Sequence, residues 1–328
     1  MRKIGIISIL LLVCSQWAYA RTHKKIVVAQ DGSGDFSTVQ AALNAVPPNN
    51  ESSVIIYVKD GVYKEKLHLG KTKNHVTLIG QDRFKTILTF DDHTGKVTAA
   101  GDTINTSTSH SFLLVGDDFT AKNITFRNNA GFYAGQAVAV EIKGDKEAFL
   151  NCRFIGNQDV LFTESPQSRE YYKNCYIEGS TDFIFGSATA YFDQCRIHSK
   201  KDSHVTAAST PEGKLFGYVF YDCELTGDPD VKKADLGRPW RAYASVTYIH
   251  CYLGQDIKPA GWSNWHDTDR YKTARYSEYE SYGPGADPPA RVKWTHQLTD
   301  QQVKKYTLQN VFPQWNPQKQ LNLNCREK

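Results

Sequence analysis

Apolar positions in this chain recur in short runs, and the interval between runs is more informative than any one run. From about residue 112, six stretches share one pattern: a polar residue, then Cys or Ile, then one free position, then an apolar residue. They are centred on Ile124, Cys152, Cys175, Cys195, Cys223 and Cys251, at separations of 28, 23, 20, 28 and 28 residues. Intervals of this size mark stacked coils or arrays. Each run is short, rich in β-branched or aromatic residues and bounded by Gly, Asn or Asp, so each reads as a strand. The most economical architecture is all-β: a right-handed parallel β-helix. Each coil adds one strand to every sheet, and equivalent residues stack ~4.8 Å apart.

The same patterning predicts elements on either side of the repeat. Strands are expected over residues 26–29, 54–58 and 75–79. A helix is expected to open at Ser37, with Gln40 completing a capping box. Val39, Ala42, Leu43 and Val46 form its apolar face, and Pro47-Pro48 ends it. After Leu253 the repeat fades. Residues 258–289 are rich in Gly, Pro, Trp and Tyr and read as long loops covering the solenoid. Thr299 with Gln302 forms a second capping box, opening a short helix to about Tyr306. The terminal segments are expected to cover the two open ends, as a solenoid requires.

The first twenty residues read as a secretory signal peptide. Arg2 and Lys3 give the positive region, residues 4–13 the apolar one, and Ala18-Tyr19-Ala20 the cleavage site. A lipoprotein reading centred on Cys14 is weaker, because bulky Val13 stands where a small residue is expected. The apolar run is too short to cross a bilayer, and no later segment is a candidate. No linker divides residues 21–328, which read as a single domain. The expected location is therefore extracytoplasmic: periplasm, extracellular space or cell wall. The expected state is a monomer off the membrane.

Charge narrows the partners. The formal net charge is +4. Removal of residues 1–20 takes away two cations and no acid, leaving +2. That near balance argues against nucleic acid while suiting an acidic polymer. Eighteen Tyr and sixteen Phe beside one Met fit a β-rich protein. Six cysteines remain after cleavage, five of them in the repeat, where they form an inward ladder of small buried hydrophobes. No CxxC or nearby His pair accompanies them, so no metal is implied. Adjacent coils do bring Cα atoms within bridging distance, which leaves one disulfide open, with Cys175 and Cys195 the closest pair in sequence.

Candidate chemistry follows from the coil length. Gln136 and Gln158 are 22 residues apart, and Asp159 and Asp182 are 23 apart. Each interval is about one coil, so two amides and two carboxylates are expected to converge on one face. Two acids that close cannot both ionise freely. One ionised and one protonated Asp make a nucleophile beside a general acid. Arg238, in Leu236-Gly237-Arg238-Pro239-Trp240, could bond one carboxylate and hold it ionised, and amide N–H groups suit an oxyanion. Each element also has a structural reading: Asp as a turn residue, Gln in an amide ladder, Arg238 as a plain ion-pair partner.

Five segments together resemble pectin methylesterases: residues 135–140 (GQAVAV), Gly156-x-Gln158-Asp159-x-Leu161-Phe162, residues 182–186 (DFIFG), residues 236–240 (LGRPW) and residues 259–262 (PAGW). They occur in the family's order, and the resemblance spans roughly residues 26–315. It implies a short form without an inhibitor-like pro-domain and a right-handed parallel β-helix. The implied activity is hydrolysis of methyl esters in homogalacturonan (pectin). By this resemblance Asp182 is the nucleophile, Arg238 its partner, and Asp159 the general acid and base. Gln136 and Gln158 stabilise the oxyanion. Phe185 and Trp240 line the apolar part of the subsite, and Thr106 contacts substrate. No metal or organic cofactor is implied, and a Cys175–Cys195 disulfide is favoured in some members. Departures occur at Val160-Leu161-Phe162, at Thr181, and at Ala208-Ser209-Thr210, where a substrate-binding Arg is missing. They bear on subsite preference.

Two other readings compete. A β-helical glycosidase could use paired carboxylates, but the glutamine pair suits an oxyanion rather than developing positive charge. A non-catalytic polysaccharide-binding solenoid needs no converging acids.

Overall fold

The computed structural model of the chain describes residues 24–323. In every coil from Thr120 to Tyr282 the backbone turns through one left-handed residue placed just before the repeat's central position. These residues are Asn123, Asn151, Asn174, Gln194, Asp222, His250 and Glu280, with φ between 47° and 56°. The polar residue of the repeat is thus the corner residue. Asn and Asp tolerate this conformation better than most side chains. Adjacent corners also bond: the Asn151 side-chain amide donates to Asn123 Oδ1 at 2.6 Å.

Each corner links two of three parallel sheets. Sheet A has 11 strands, sheet B 8 and sheet C 7. One coil runs through Glu147–Leu150 in sheet A, Arg153–Ile155 in sheet B and Leu161–Thr163 in sheet C. The next coil repeats it through Arg169–Lys173, Tyr176–Gly179 and Ile184–Gly186. Every strand pairing is parallel, such as Phe149 beside Tyr172 and Tyr172 beside Phe192. The fold is a right-handed parallel β-helix, as the spacing predicts.

The inward rows form one continuous core. Phe149, Tyr172, Phe192, Phe220 and Tyr248 stack in register, with ring centroids 4.4–4.9 Å apart. Cys152, Cys175, Cys195, Cys223 and Cys251 form the expected inward ladder, all buried. All five are free thiols, so the Cys175–Cys195 disulfide is not formed. In the in-register ladder each sulfur reaches a backbone carbonyl and also lies beside the sulfur of the adjacent coil. Cys175 Sγ reaches Phe149 O at 3.6 Å, and Cys195 Sγ reaches Tyr172 O at 3.4 Å.

The solenoid extends beyond the repeat seen in sequence at both ends. Strands Lys24–Val28, Val54–Val58 and Val76–Gly80 begin sheet A. Arg275–Tyr279 continues that sheet within the segment expected to be loop. The first helix spans Val39–Asn44 and is capped by Thr38, not Ser37. Glu65 adds a second cap by accepting from the backbone N–H groups of Val39 and Gln40. The Gln40 side chain, released from capping, bonds His68 instead. The Thr299–Gln302 capping box forms as expected, opening Asp300–Val303.

The N-terminal helix buries Val39, Ala42 and Leu43 in the main core at the first coils. The C-terminal segment covers its end only in part, where Ala286, Val292 and Trp294 pack against the main core. Its later part runs back along the outside of sheet A, packing Val311, Phe312, Trp315 and Leu321 on Ala148, Tyr171, Tyr191, Val219 and Ile249. The outer face of that sheet is apolar there, which is why the segment lies on it. The signal-peptide expectation falls outside the described residues.

Candidate active site

A second set of left-handed corners, between sheets B and C, carries the two acids. Asp159 has φ 63° and Asp182 φ 50°, each just before a strand of sheet C. The turn-residue reading of these Asp residues is therefore correct for the backbone, and their carboxyls remain free for other work. Parallel bridges join Gln136 to Gln158 and Gln158 to Thr181, stacking the preceding positions one coil apart.

The outward row of sheet C forms the floor. Register places Phe162 beside Phe185, Phe185 beside Ala207, and Ala207 beside Arg238. Phe162 and Phe185 stack with centroids 4.2 Å apart, and Trp240 closes on both at 6.3 and 5.8 Å. Gly237 makes the last step possible. A Cβ there would lie 1.9 Å from Thr206 Oγ1, so a larger residue would push strand Asp235–Pro239 and its Arg238 away.

Arg238 grips Asp182 in a two-pronged ion pair: Nε to Oδ1 at 3.1 Å and a terminal nitrogen to Oδ2 at 2.7 Å. The other face of the guanidinium lies 4.1 Å from the Trp265 ring centroid. Stacked and doubly bonded, Arg238 is fixed in plane. Asp159 is different. Among the described residues its carboxyl has no hydrogen-bond partner, and it is buried. Burial, reinforced by the charge of Asp182, pushes its pKa well above the usual carboxylate range, against an opposing pull from Arg238. The side-chain amides of Gln136 and Gln158 likewise make no hydrogen bond to another described residue, and both border the same pocket.

That pocket has a volume of about 400 Å³. It brings together all eight residues singled out in sequence: Asp159, Asp182, Gln136, Gln158, Arg238, Thr106, Phe185 and Trp240. Phe162, Trp265, Glu164 and Ser107 line it as well and were missed. Phe162 had a signal, because it precedes Phe185 by the same 23 residues that separate the two acids. Glu164 belongs to a charged wall in which Lys143 bridges it to the buried Glu141, at 2.9 and 3.0 Å. Among the described residues, no group of three or more His, Cys, Asp or Glu side chains is placed to hold a metal ion. No described helix is long and apolar enough to cross a membrane.

A family model described as Pectinesterase matches residues 25–314. Pectinesterase 31 of Arabidopsis thaliana is 38% identical over 287 residues, covering 86% of this chain and 90% of the relative. The chain spans about half of longer Arabidopsis proteins named as probable pectinesterase/pectinesterase inhibitors. Among solved structures, pectin methylesterase from carrot superposes with a TM-score of 0.82 at 32% identity, covering 89% of this chain and 94% of that one. A pectin methylesterase in complex with a hexasaccharide superposes at 0.80 with 26% identity, covering 90% and 99%.

Proposed function

Because the chain belongs to the pectinesterase family, we propose that it is a secreted, monomeric esterase that hydrolyses galacturonate methyl esters of homogalacturonan through an Asp182 acyl-enzyme. The observation that carries this reading is the asymmetry of the two acids. Asp182 is charge-paired in plane with Arg238, while Asp159 is buried, without a hydrogen-bond partner among the described residues, and raised in pKa.

In this reading a methylated galacturonate lies over Phe162 and Phe185 with its ester beside Asp182. An oxygen of Asp182 attacks the ester carbonyl carbon. The negative charge that develops on the carbonyl oxygen is met by the amide N–H groups of Gln136 and Gln158, which have no competing partner among the described residues. The tetrahedral intermediate collapses with loss of methoxide, which takes the proton of Asp159 and leaves as methanol. Asp159, now ionised, removes a proton from water as the water attacks the acyl carbon. The mixed anhydride breaks, Asp182 is released as carboxylate, and the product keeps a free carboxyl group. Arg238 holds the nucleophile's plane throughout. Trp240, and Thr106 at the far rim, contact the sugar. The family match and the saccharide complex of a similar fold support the substrate class.

The test is Asp182→Asn. A folded variant is expected to lose several orders of magnitude in methanol release from methylated pectin, because the covalent route is closed. Near-normal turnover would remove Asp182 from this role. Amino-terminal sequencing of the exported protein checks the signal peptide, with Arg21 expected near the new terminus.

A further inference from the structure

A second groove, of about 360 Å³, opens on the other edge of sheet B, at the corners that lead in from sheet A. Its walls are Arg83, Phe84, Arg153, Tyr176 and Arg196, with the corner amides Asn174 and Gln194 beside them. The catalytic corner follows the opposite ends of the same strands, so this groove is not an extension of the pocket around Asp182.

The groove is built as a stack. The Arg83 guanidinium lies 4.8 Å from the Phe84 ring centroid, and that of Arg153 lies 5.0 Å from the same ring. Arg153 also faces Tyr176 at 5.5 Å. Two guanidiniums are thus held on ring faces. Arg83 also bonds Asn151, and Arg153 makes a long bond to Thr125. Among the described residues no carboxylate pairs with either. Arg196 meets Glu224 at 3.6 Å, with both half-exposed or more. The Phe84 ring is 58% exposed and so accessible to a ligand.

We propose that this groove is a second carbohydrate-binding site, for the carboxylated galacturonan that demethylation produces. The proposal rests on the function proposed above for its choice of ligand. Fixed arginines recognise carboxylates in pairs of hydrogen bonds. An exposed ring suits the apolar face of a pyranose, and corner amides supply donors and acceptors for hydroxyls. Register sets Arg153, Tyr176 and Arg196 on three successive strands. The two arginines are therefore ~10 Å apart, two strand spacings, with an aromatic between them. That alternation suits a chain carrying charge and sugar ring at regular intervals. A methylated stretch lacks the charge, so the groove selects product over substrate. It would hold the enzyme on polymer that already contains free acid.

The test compares wild type with Arg83→Ala/Arg153→Ala and with Phe84→Ala, whose exposed side chain can be removed without opening the core. Calorimetric titration with an unesterified oligogalacturonate is expected to show affinity roughly tenfold weaker in the double variant and several-fold weaker in Phe84→Ala. On long, partly de-esterified pectin, KM should rise at unchanged kcat. On a short, fully methylated oligomer, kcat/KM should not change. Unaltered pectate affinity in both variants would overturn the proposal. So would equal loss of affinity for polyglutamate, which would mark a general polyanion patch. If wild type released no methanol from any pectin, the proposed function would fall, while the binding comparison would still decide whether the groove holds pectate.

Discussion

Asp159 owes its raised pKa to a carboxyl set in a buried corner beside another acid. The proposed mechanism needs its proton for methanol departure, so kcat/KM should fall as pH rises through that pKa. Arg238 is the one neighbour that pulls the pKa down. Arg238→Ala should therefore move the alkaline limb to higher pH while lowering the maximum, read on a short, fully methylated oligogalacturonate. An unmoved limb would mean that another group titrates there. Gln136→Ala and Gln158→Ala should each lower kcat by about a hundredfold or more, the usual worth of one oxyanion donor, with little change in KM. A rise in KM alone would make that glutamine a binding residue. At this scale the two acids and the two glutamines were legible because they repeat at one coil length, while Thr106, Phe185 and Trp240 came only from the family resemblance. Trp265 was not: it reaches Arg238 from a loop, by ring stacking that leaves no period in the sequence.

Corner rows are the elements that hold one coil in register with the next. Asn151 combines a left-handed backbone with a side-chain bond to Asn123. Asn151→Val should cost about 3–4 kcal/mol, from ~1–2 of backbone strain and ~1 for each of the two lost side-chain bonds, to Asn123 and from Arg83. Asn151→Gly keeps the backbone at ease and should cost less, as measured by denaturant midpoints. The repeat was visible where a corner was followed by Cys or Ile, and it faded where the same geometry used other residues. Ser281 follows corner residue Glu280 where earlier coils have Cys, and the coil continues. In the first coils the link between sheets A and B is irregular. It is two residues between Val54–Val58 and Gly61–Lys64, and five between Val76–Gly80 and Thr86–Phe90. No common spacing announces those coils.

Over the whole molecule, two stacked acids make stability depend on pH. Glu147 and Glu170 pair across sheet A and are fully buried. Burial pushes Glu170 up to about 8, and burial with nearby acids pushes Glu147 well above its ordinary value. The folded state therefore holds protons that the unfolded chain has lost. The stability this confers is complete below about 4.5, the unfolded value. It declines as pH rises toward 8, by up to ~1.4 kcal/mol per pH unit for each group. Glu170→Gln should flatten that decline between pH 5 and 8 in thermal melts; an unchanged slope would locate the effect elsewhere.

The C-terminal strap changes how such a stack can be completed. A plain solenoid is a string of neighbour contacts, and any piece of it can form while the rest waits. Here Gln320 bonds Phe119, 201 residues earlier, and Lys146, 174 residues earlier. The strap thus closes on coils made long before it. Contacts so distant in sequence raise contact order and slow folding. The outer apolar rows of sheet A stay uncovered until residues 311–321 dock on them, so the coils beneath finish their burial only when a segment far along the chain has been made.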